Sequence, residues 1–358
     1  QEVAAVAPRA LASRSELLFQ EMLPPLEQPF AQRVARQEGY LDALKNGSKS
    51  DPELSHHGVR HGCEVDLTKL DAQVPVIIVG DLHGDLANAR SILLNNNNLE
   101  KIVDQQAVLV LLGDLVHPER GDLAEMSDSI RMRELIMNLT IAAPRNVFAL
   151  IGNHDPINDF GICKQIRGRE EVYQTVVYRE RLQEQLFAGG APGLPGVFDY
   201  FDSYAECTHS SPYYVVGAGF AATHAGPVAS LTRDEFRAVQ PLDNSDLIGR
   251  IQQGKPEAWS NQGVAYVEST WARWDPTMKR KYSYSAEQVE LFLDAYGQKG
   301  GHLFTGHTPP EDPSQWRSER MRRGVDGHEA SHTVMVAARQ NTIGYAVWQH
   351  GDVRFVDL

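Results

Sequence analysis

Cysteine is scarce in this chain. Three occur among 358 residues, Cys63, Cys163 and Cys207, and none has C-x-x-C spacing. That excludes a zinc site built from thiolates, and the odd number excludes a fully paired disulfide framework. Pairing of Cys163 with Cys207 stays open. No apolar run approaches the roughly 20 residues that span a bilayer. Basic runs are missing too: 34 Lys and Arg stand against 47 Asp and Glu, for a formal charge of −13. Such a balance suits neither nucleic acid nor an anionic membrane as a partner. Internal repeats are absent, and "NNNN" at 95–98 is too short to carry meaning. What remains is ordinary globular composition, 42% hydrophobic and 23% charged, enough for one large domain or two modest ones.

The chain begins at Gln1, and "QEVAAVAP" suits a start left after removal of an export signal. That gives the expectation of a periplasmic or secreted protein over a cytoplasmic one, although a trimmed boundary produces the same start. Of two N-x-[S/T] sequons, Asn46-Gly-Ser and Asn138-Leu-Thr, the second falls in a predicted helix, which argues against glycosylation. Residues 11–45 read as helix, interrupted at Pro24-Pro25, and "KNGSKSDPELSHHG" reads as a loop. Residues 1–70 are therefore expected to form a helical extension packed on a main domain at 71–358. From 74 onward strands and helices alternate: "VPVIIVGDLHGD", a helix with Leu86, Ala89, Ile92 and Leu93, "AVLVLLGDLVH", a helix over 125–142, then "NVFALIGNHD". This βαβαβ run predicts neighbouring parallel strands whose C-terminal ends gather on one edge. An irregular helical insertion is expected at about 156–206, with "GGAPGLPG" as a turn. "SAEQVELFLDAYGQ" at 285–298 reads as an N-capped amphipathic helix. The tail reads as antiparallel strands with turns at Gln340-Asn341 and His350-Gly351-Asp352.

Five of these apolar runs end in the same kind of chemistry. "IIVGDLHGD" delivers Asp81 and His83, "VLLGDLVH" delivers Asp114, and "ALIGNHD" delivers Asn153 and His154. "AATHAGP" delivers His224, and "LFTGHTPP" delivers His307. A lone Gly-Asp or Gly-His after a strand is usually a turn. Five in succession are a set of carboxylates, imidazoles and one amide carbonyl, without a thiolate. That donor set suits Mn, Fe, Zn or a similar divalent ion rather than calcium or an iron–sulfur cluster. Several donors around one carboxylate suggest two ions in the two-metal arrangement, separated by roughly 3.5–4 Å.

The series "GDLHGD … GDLVHPERG … GNHD … THAGP … GHTPP" resembles the signature motifs of the calcineurin-like metallophosphoesterases. Its resemblance is closest to the phosphoprotein phosphatase branch and its bacterial and phage lambda-type members. The resemblance implies an α/β fold, a central β-sandwich of mixed sheets flanked by helices in four α/β/β/α layers. It implies two divalent metal ions, Mn first and Fe, Zn, Co or Ni as alternatives. Asp81 and His83 would hold one ion, Asp114 would bridge, and Asn153, His224 and His307 would complete the second. His154 would protonate the leaving group. The implied activity is hydrolysis of phosphomonoesters by direct attack of a metal-bridging hydroxide. Phosphorylated proteins are the expected substrates (Ser/Thr, with Tyr also considered), and small phosphate esters are considered as well. The alternatives are hydrolysis of dinucleoside polyphosphates, and a non-catalytic scaffold that kept the fold.

Phosphate oxygens in this family are held by two arginines. Arg273 in "STWARWDP" resembles the later one. The earlier belongs to G-D-x-V-D-R-G, where this chain reads Gly113-Asp114-Leu-Val-His117-Pro-Glu119-Arg120-Gly121. Two residues are inserted and the second aspartate is replaced. Arg120 keeps the Arg-Gly pairing, and His117 joins Arg120 and Arg273 as a candidate substrate contact. The group that orients His154 is open among His117, Glu119, Asp122 and Asp155. "SHHGVRHGCE" at 55–64 reads as a polar loop rather than a metal site, and Trp271 and Trp274 either border a groove or simply pack.

Overall fold

The computed structural model describes residues 12–47, 58–119, 122, 124–157, 164–165, 171–172, 174–239, 260–280, 282–312, 314–323, 329–338 and 343–358. The chain opens with α1 (Arg14–Met22), capped by the Ser13 side chain, and α2 (Phe30–Asn46), with Pro24 and Pro25 between them. β1 (Val59–His61), β2 (Glu64–Leu67) and β3 (Val76–Val79) follow, then α3 (Leu86–Leu94), α4 (Asn98–Val103) and β4 (Val108–Leu111). Next come α5 (Ser127–Ala142), β5 (Val147–Ala149), the short β6 (Lys164–Gln165) and β7 (Glu171–Val172), α6 (Gln174–Ala188) and α7 (Gly193–His209). β8 (Tyr214–Gly217), β9 (Phe220–Thr223), α8 (Arg233–Arg237), α9 (Asn261–Trp271), β10 (Arg273–Trp274) and β11 (Ser283–Tyr284) lead to α10 (Ala286–Ala295). The chain closes with β12 (His302–Thr305), β13 (Arg317–Arg323), β14 (Glu329–Met335), β15 (Gly344–Gln349) and β16 (Asp352–Asp357).

Two mixed sheets result. The smaller has the order β16-β15-β3-β4-β5, the larger β1-β2-β8-β9-β12-β14-β13. Strand alternation sends one face of each sheet inward. Val76 and Ile78 of β3 and Val108 and Val110 of β4 meet Val215, Phe220, Ala222 and Phe304 of the larger sheet. Their neighbours Ile77, Val79, Leu109 and Leu111 point outward, into a layer built on Leu86, Ile92, Leu135, Leu139, Leu182 and Tyr204. On the far side Tyr214, Val216, Ala221 and Leu303 pack under Tyr266, Val289 and Phe292. Both strands of the βαβ pairs are thus covered on two faces, which is why they read as continuous apolar runs rather than alternating ones. The order helix, sheet, sheet, helix is the four-layer fold that the motifs implied.

The N-terminal helices join the outer helical layer. Phe19 of α1 is buried there, Arg14 and Asp104 are bonded at 2.6 and 2.7 Å, and buried Arg33 of α2 pairs with Glu134 of α5. Residues 59–67 differ from the expected helical extension, because β1 and β2 are strands of the larger sheet, β2 running parallel to β8. Cys63, Val65 and Leu67 are buried there, and Gly62 makes the connecting turn with φ +57°. The histidine-rich flank "SHHGVRH" hid this alternation. The described part of the insertion from Gln174 onward is mostly regular helix, α6 and α7. "GGAPGLPG" supplies a Gly189-Gly190 turn and the first turn of α7, which Pro192 precedes and Pro195 enters without losing an intrahelical bond. Cys63 and Cys207 are free, buried thiols, and burial pushes both up to about 12. Cys163, Arg120, His56, His57 and the Gln340-Asn341 turn lie outside the described residues. Asn138 is mid-helix, its amide donating to Met22 O at 2.7 Å, which leaves that sequon unsuited to glycosylation. Among the described residues no helix is long and apolar enough to cross a membrane.

Candidate metal centre

Register brings the five motifs to one place. β3 and β4 run parallel with Val79 opposite Leu111, and β4 and β5 with Leu111 opposite Ala149. In the larger sheet β9 and β12 run parallel with Thr223 opposite Thr305. The residues just past these C-terminal ends are Asp81 and His83, Asp114, Asn153 and His154, His224, and His307. Both sheets therefore deliver their polar ends to a common edge, where the crevice beyond parallel strands binds ligands.

Cross-sheet bonds hold the ends together. The His307 amide donates to Asp81 Oδ2 at 2.8 Å, and His224 Nδ1 faces the Leu112 carbonyl at 2.8 Å. Asp155 accepts from the amides of Gly152, Leu115 and Asp114 at 2.7, 2.8 and 3.0 Å. Two loops are thereby tied by one buried carboxylate, whose oxygens are both committed to the backbone. Of the alternatives for orienting His154, this takes Asp155 into a scaffolding part, and Asp122 is exposed. His117 lies edge-on to His154, with ring centroids 5.6 Å apart, and equally against Tyr178 at 5.7 Å. Its relative exposure is 0%. Substrate contact was expected of it, but a side chain with no surface sits behind His154 rather than facing a substrate.

Three glycines are required by close approach. A Cβ on Gly306 would fall 2.0 Å from Asp81 Oδ1, and one on Gly152 would fall 2.2 Å from both the Asp114 amide and its Oδ1. Gly113 takes φ +97°, open only to a residue without a side chain. His83, Asp114 and His307 also adopt left-handed backbone, with φ 45°, 50° and 59°, at a cost of order 1–3 kcal/mol each. Asp81 and His83 therefore stand on a turn beyond β3 rather than on a continuing strand. We predict that Gly306→Ala displaces the Asp81 carboxylate and lowers bound metal per chain, with overall folding kept. Metal content measured beside the melting temperature checks this, and a fully loaded variant would contradict it.

Two groups of donors converge. Asp81, His83 and Asp114 offer atoms within 4.8 Å of one another, as do Asp114, His224 and His307. Asp114 belongs to both. Its Oδ2 is 3.8 Å from His83 Nε2, 3.5 Å from His224 Nε2 and 4.0 Å from His154 Nε2. Asn153 Oδ1 completes the second group, 2.9 Å from His224 Nε2 and 2.8 Å from His307 Nδ1. Electrostatics fit a cation here. Burial pushes the Asp81 and Asp114 carboxyls well above the usual range, and each lies among other carboxylates that add to the shift. Positive charge between two such groups favours their ionised forms. Asp81 Oδ1 is buried without a hydrogen-bond partner, which is costly for a carboxylate unless something fills its coordination. Burial holds His224 down to about 3 and His307 well below the ordinary histidine range, and the neutral ring is the form that ligates. The donor set and its surroundings thus fit divalent metal.

Around this centre stand His154, with ring centroid 5.2 Å from His83, and Trp271, 6.2 Å from the His307 ring. Trp271 borders the site, whereas Trp274 packs on Tyr284 and His332. Arg273 is half-buried, and burial and then Arg280 act against its charge while Asp114, Asp81 and Glu119 favour it. Its guanidinium is within electrostatic reach of the centre. Glu119, not singled out as a ligand from the sequence, places Oε1 3.6 Å from His83 Nε2. Sequence spacing gave no signal for it beyond its place in the inserted "HPER". A cavity of about 280 Å³ opens beside His83, Pro118 and Glu119.

Comparison with known proteins agrees with this geometry. The overall fold is similar to a protein serine/threonine phosphatase from Saccharomyces cerevisiae with similarity to human phosphatase PP5, at TM-score 0.55 and 14% identity, over 92% of this chain and 90% of that one. The cold-active protein-tyrosine phosphatase of a psychrophile Shewanella sp. aligns at TM-score 0.42 and 14% identity, over 86% and 84%. At such identity the likeness concerns fold alone. The profile of the calcineurin-like phosphoesterases matches residues 74–321, more than two thirds of the chain and every one of the five strand ends. This chain belongs to the calcineurin-like phosphoesterase family, and is a metallophosphoesterase.

Proposed function

We propose that the protein hydrolyses phosphomonoesters on other proteins, phosphoserine and phosphothreonine first, using a pair of divalent ions. The observation that carries the reading is Asp114 Oδ2, which faces a nitrogen of each donor group at 3.8 and 3.5 Å. Asp81 and His83 would hold one ion and Asn153, His224 and His307 the other, with Asp114 offered to both. Three oxygen donors and three imidazole nitrogens, with no thiolate, suit Mn²⁺ or a similar divalent ion over softer ones. The ions, when bound, supply an activated water and positive charge against the phosphoryl oxygens.

The chain's own side chains do the rest. Arg273 offers a planar fork to two phosphate oxygens, the geometry for which guanidinium is suited. His154 has 12% side-chain exposure, enough to meet a leaving group at the mouth of the site. Its amide is fixed on Asp114 Oδ1 at 2.8 Å, so the ring is carried at a set distance from the centre. It donates a proton to the departing oxygen as general acid. The yeast phosphatase of similar fold bears a protein-phosphatase name, which supports the choice of substrate class. Phosphate release from phosphoserine, phosphothreonine and phosphotyrosine peptides, against diadenosine tetraphosphate, with protein reconstituted in Mn²⁺, tests the proposal. Turnover of the peptides is expected. Preference for the dinucleotide would move the protein to the nucleotide hydrolases, and inactivity on both would favour a scaffold.

A further inference from the structure

The resemblance to G-D-x-V-D-R-G breaks in the segment after β4, where two residues are inserted and the second aspartate is replaced. The His154 amide is fixed on Asp114 Oδ1 at 2.8 Å, but an amide bond does not set the two torsions of the imidazole. Packing sets them. The ring stands edge-on to His83 at 5.2 Å and 88°, and to His117 at 5.6 Å and 73°. Near-perpendicular rings at such separations are a favoured arrangement of aromatic pairs.

His117 is in turn gripped by α6 of the insertion. Tyr178 meets its ring edge-on at 5.7 Å and 85°. Gln174, one turn earlier on the same face of α6, donates from Nε2 to the Pro118 carbonyl at 2.7 Å. Both side chains belong to residues only 1% exposed. Tyr178 is itself braced, its hydroxyl 3.1 Å from that of Tyr204 on α7. The buried Arg133 guanidinium lies over the Tyr204 ring at 5.4 Å and the Tyr40 ring of α2 at 5.3 Å. Contacts therefore run from α2 through the insertion to the ring of His154. We propose that α6 positions the general acid: Gln174 and Tyr178 hold His117, and the His117 ring holds His154 in the rotamer that meets a leaving group. The inference rests on the reading of His154 given above. A proton donor must come within about 2.6–3.2 Å of the oxygen it serves, so an imidazole without this backing spends time out of range. Gln174 and Tyr178 act through His117 and are positioning residues.

The test compares a phosphoserine peptide with p-nitrophenyl phosphate as substrates of Mn²⁺-loaded wild type, Tyr178→Leu, Tyr178→Phe, Gln174→Ala and His154→Asn. Serine needs the proton to depart and p-nitrophenolate does not, so a displaced His154 shows as a fall in kcat on the peptide alone. Tyr178→Leu should lower peptide kcat about 3–10-fold, the worth of one edge-on ring contact, with KM, p-nitrophenyl phosphate turnover and metal content within about twofold of wild type. Gln174→Ala should split the substrates in the same direction, and carries the test if Tyr178→Leu does not fold. Tyr178→Phe keeps the ring edge and loses only the bond to Tyr204, so it should melt lower than wild type yet turn over peptide at the wild-type rate. That contrast separates position from stability. If His154→Asn shows the split but Tyr178→Leu and Gln174→Ala lose neither substrate or both alike, the role of α6 is overturned and His154 keeps its own. A His154→Asn protein that loses both substrates equally, or a wild type inactive on both, would overturn the underlying reading and this inference with it.

Discussion

Asp114→Asn is expected to abolish the thermal stabilisation that Mn²⁺ confers, while the metal-free variant melts no lower than the metal-free wild type. The two signs are opposite for one physical reason. In the ion-free protein Asp114 is a buried carboxyl whose protonation burial favours, with Asp81 adding to the shift. Removing one of two neighbouring acids relieves that site rather than harming it. With ions present the same carboxylate would be the shared donor proposed above, and an amide oxygen turned towards the His154 amide, which Oδ1 meets at 2.8 Å, would leave NH₂ where Oδ2 stood. That group cannot ligate. At a hundredfold excess of Mn²⁺ over its Kd, binding stabilises the native state by about 2.7 kcal/mol, a melting shift on the order of 5 °C. The variant loses this shift. It also loses several kcal/mol of charge stabilisation in the reaction, so kcat/KM should drop by roughly 10³-fold or more. Differential scanning fluorimetry with and without Mn²⁺, beside metal content, decides the matter. A variant that still gained stability from Mn²⁺ would remove Asp114 from the centre.

The candidate donors stand out in the sequence because each sits at a short apolar run that stops at a polar residue, usually beside glycine. "VIIVGD" and "LVLLGD" announce burial on both faces and then a sharp exit, and parallel register does the remainder by setting Val79 beside Leu111. Local pattern carries that much. It does not carry contacts made between distant segments. β1 and β2 were masked by a histidine-rich flank, and only pairing with β8 makes strands of them. Asp155, in the same "GNHD" that exposed Asn153, was a candidate to orient His154. Besides the nearby Gly152 amide, its partners are amides at 114 and 115, and nothing in the local sequence signals that distant pair. His117 looked like a polar group bound for substrate, yet Tyr178 of the insertion closes over it. Glu119 comes within 3.6 Å of His83 only because the chain folds back after β4, which its local pattern does not announce. Chemistry at strand ends was legible; second contacts, fixed by tertiary packing, were not.

The second large effect concerns His154. If its ring gives the proton to the leaving oxygen, then His154→Asn should lower kcat on phosphoserine peptides by about 10²–10⁴-fold, with metal content unchanged. The backbone amide that binds Asp114 remains in the variant, so the carboxylate keeps its seat. A ligand role would show as lost metal instead. His154 Nε2 stands 4.0 Å from Asp114 Oδ2, near enough that content must be measured and not assumed. The leaving group supplies the sharper criterion. Serine departs as a strongly basic alkoxide and needs the proton, whereas p-nitrophenolate departs unaided. Loss on p-nitrophenyl phosphate should therefore be much smaller than on the peptide. His117→Ala removes the ring edge that packs on His154, and should produce the same split between substrates in a milder form. Equal losses on both substrates would mean that His154 positions the phosphate or the ions and that the proton comes from elsewhere. A split confined to the peptide assigns it to this imidazole, because no change in metal or phosphate binding distinguishes leaving groups by their basicity.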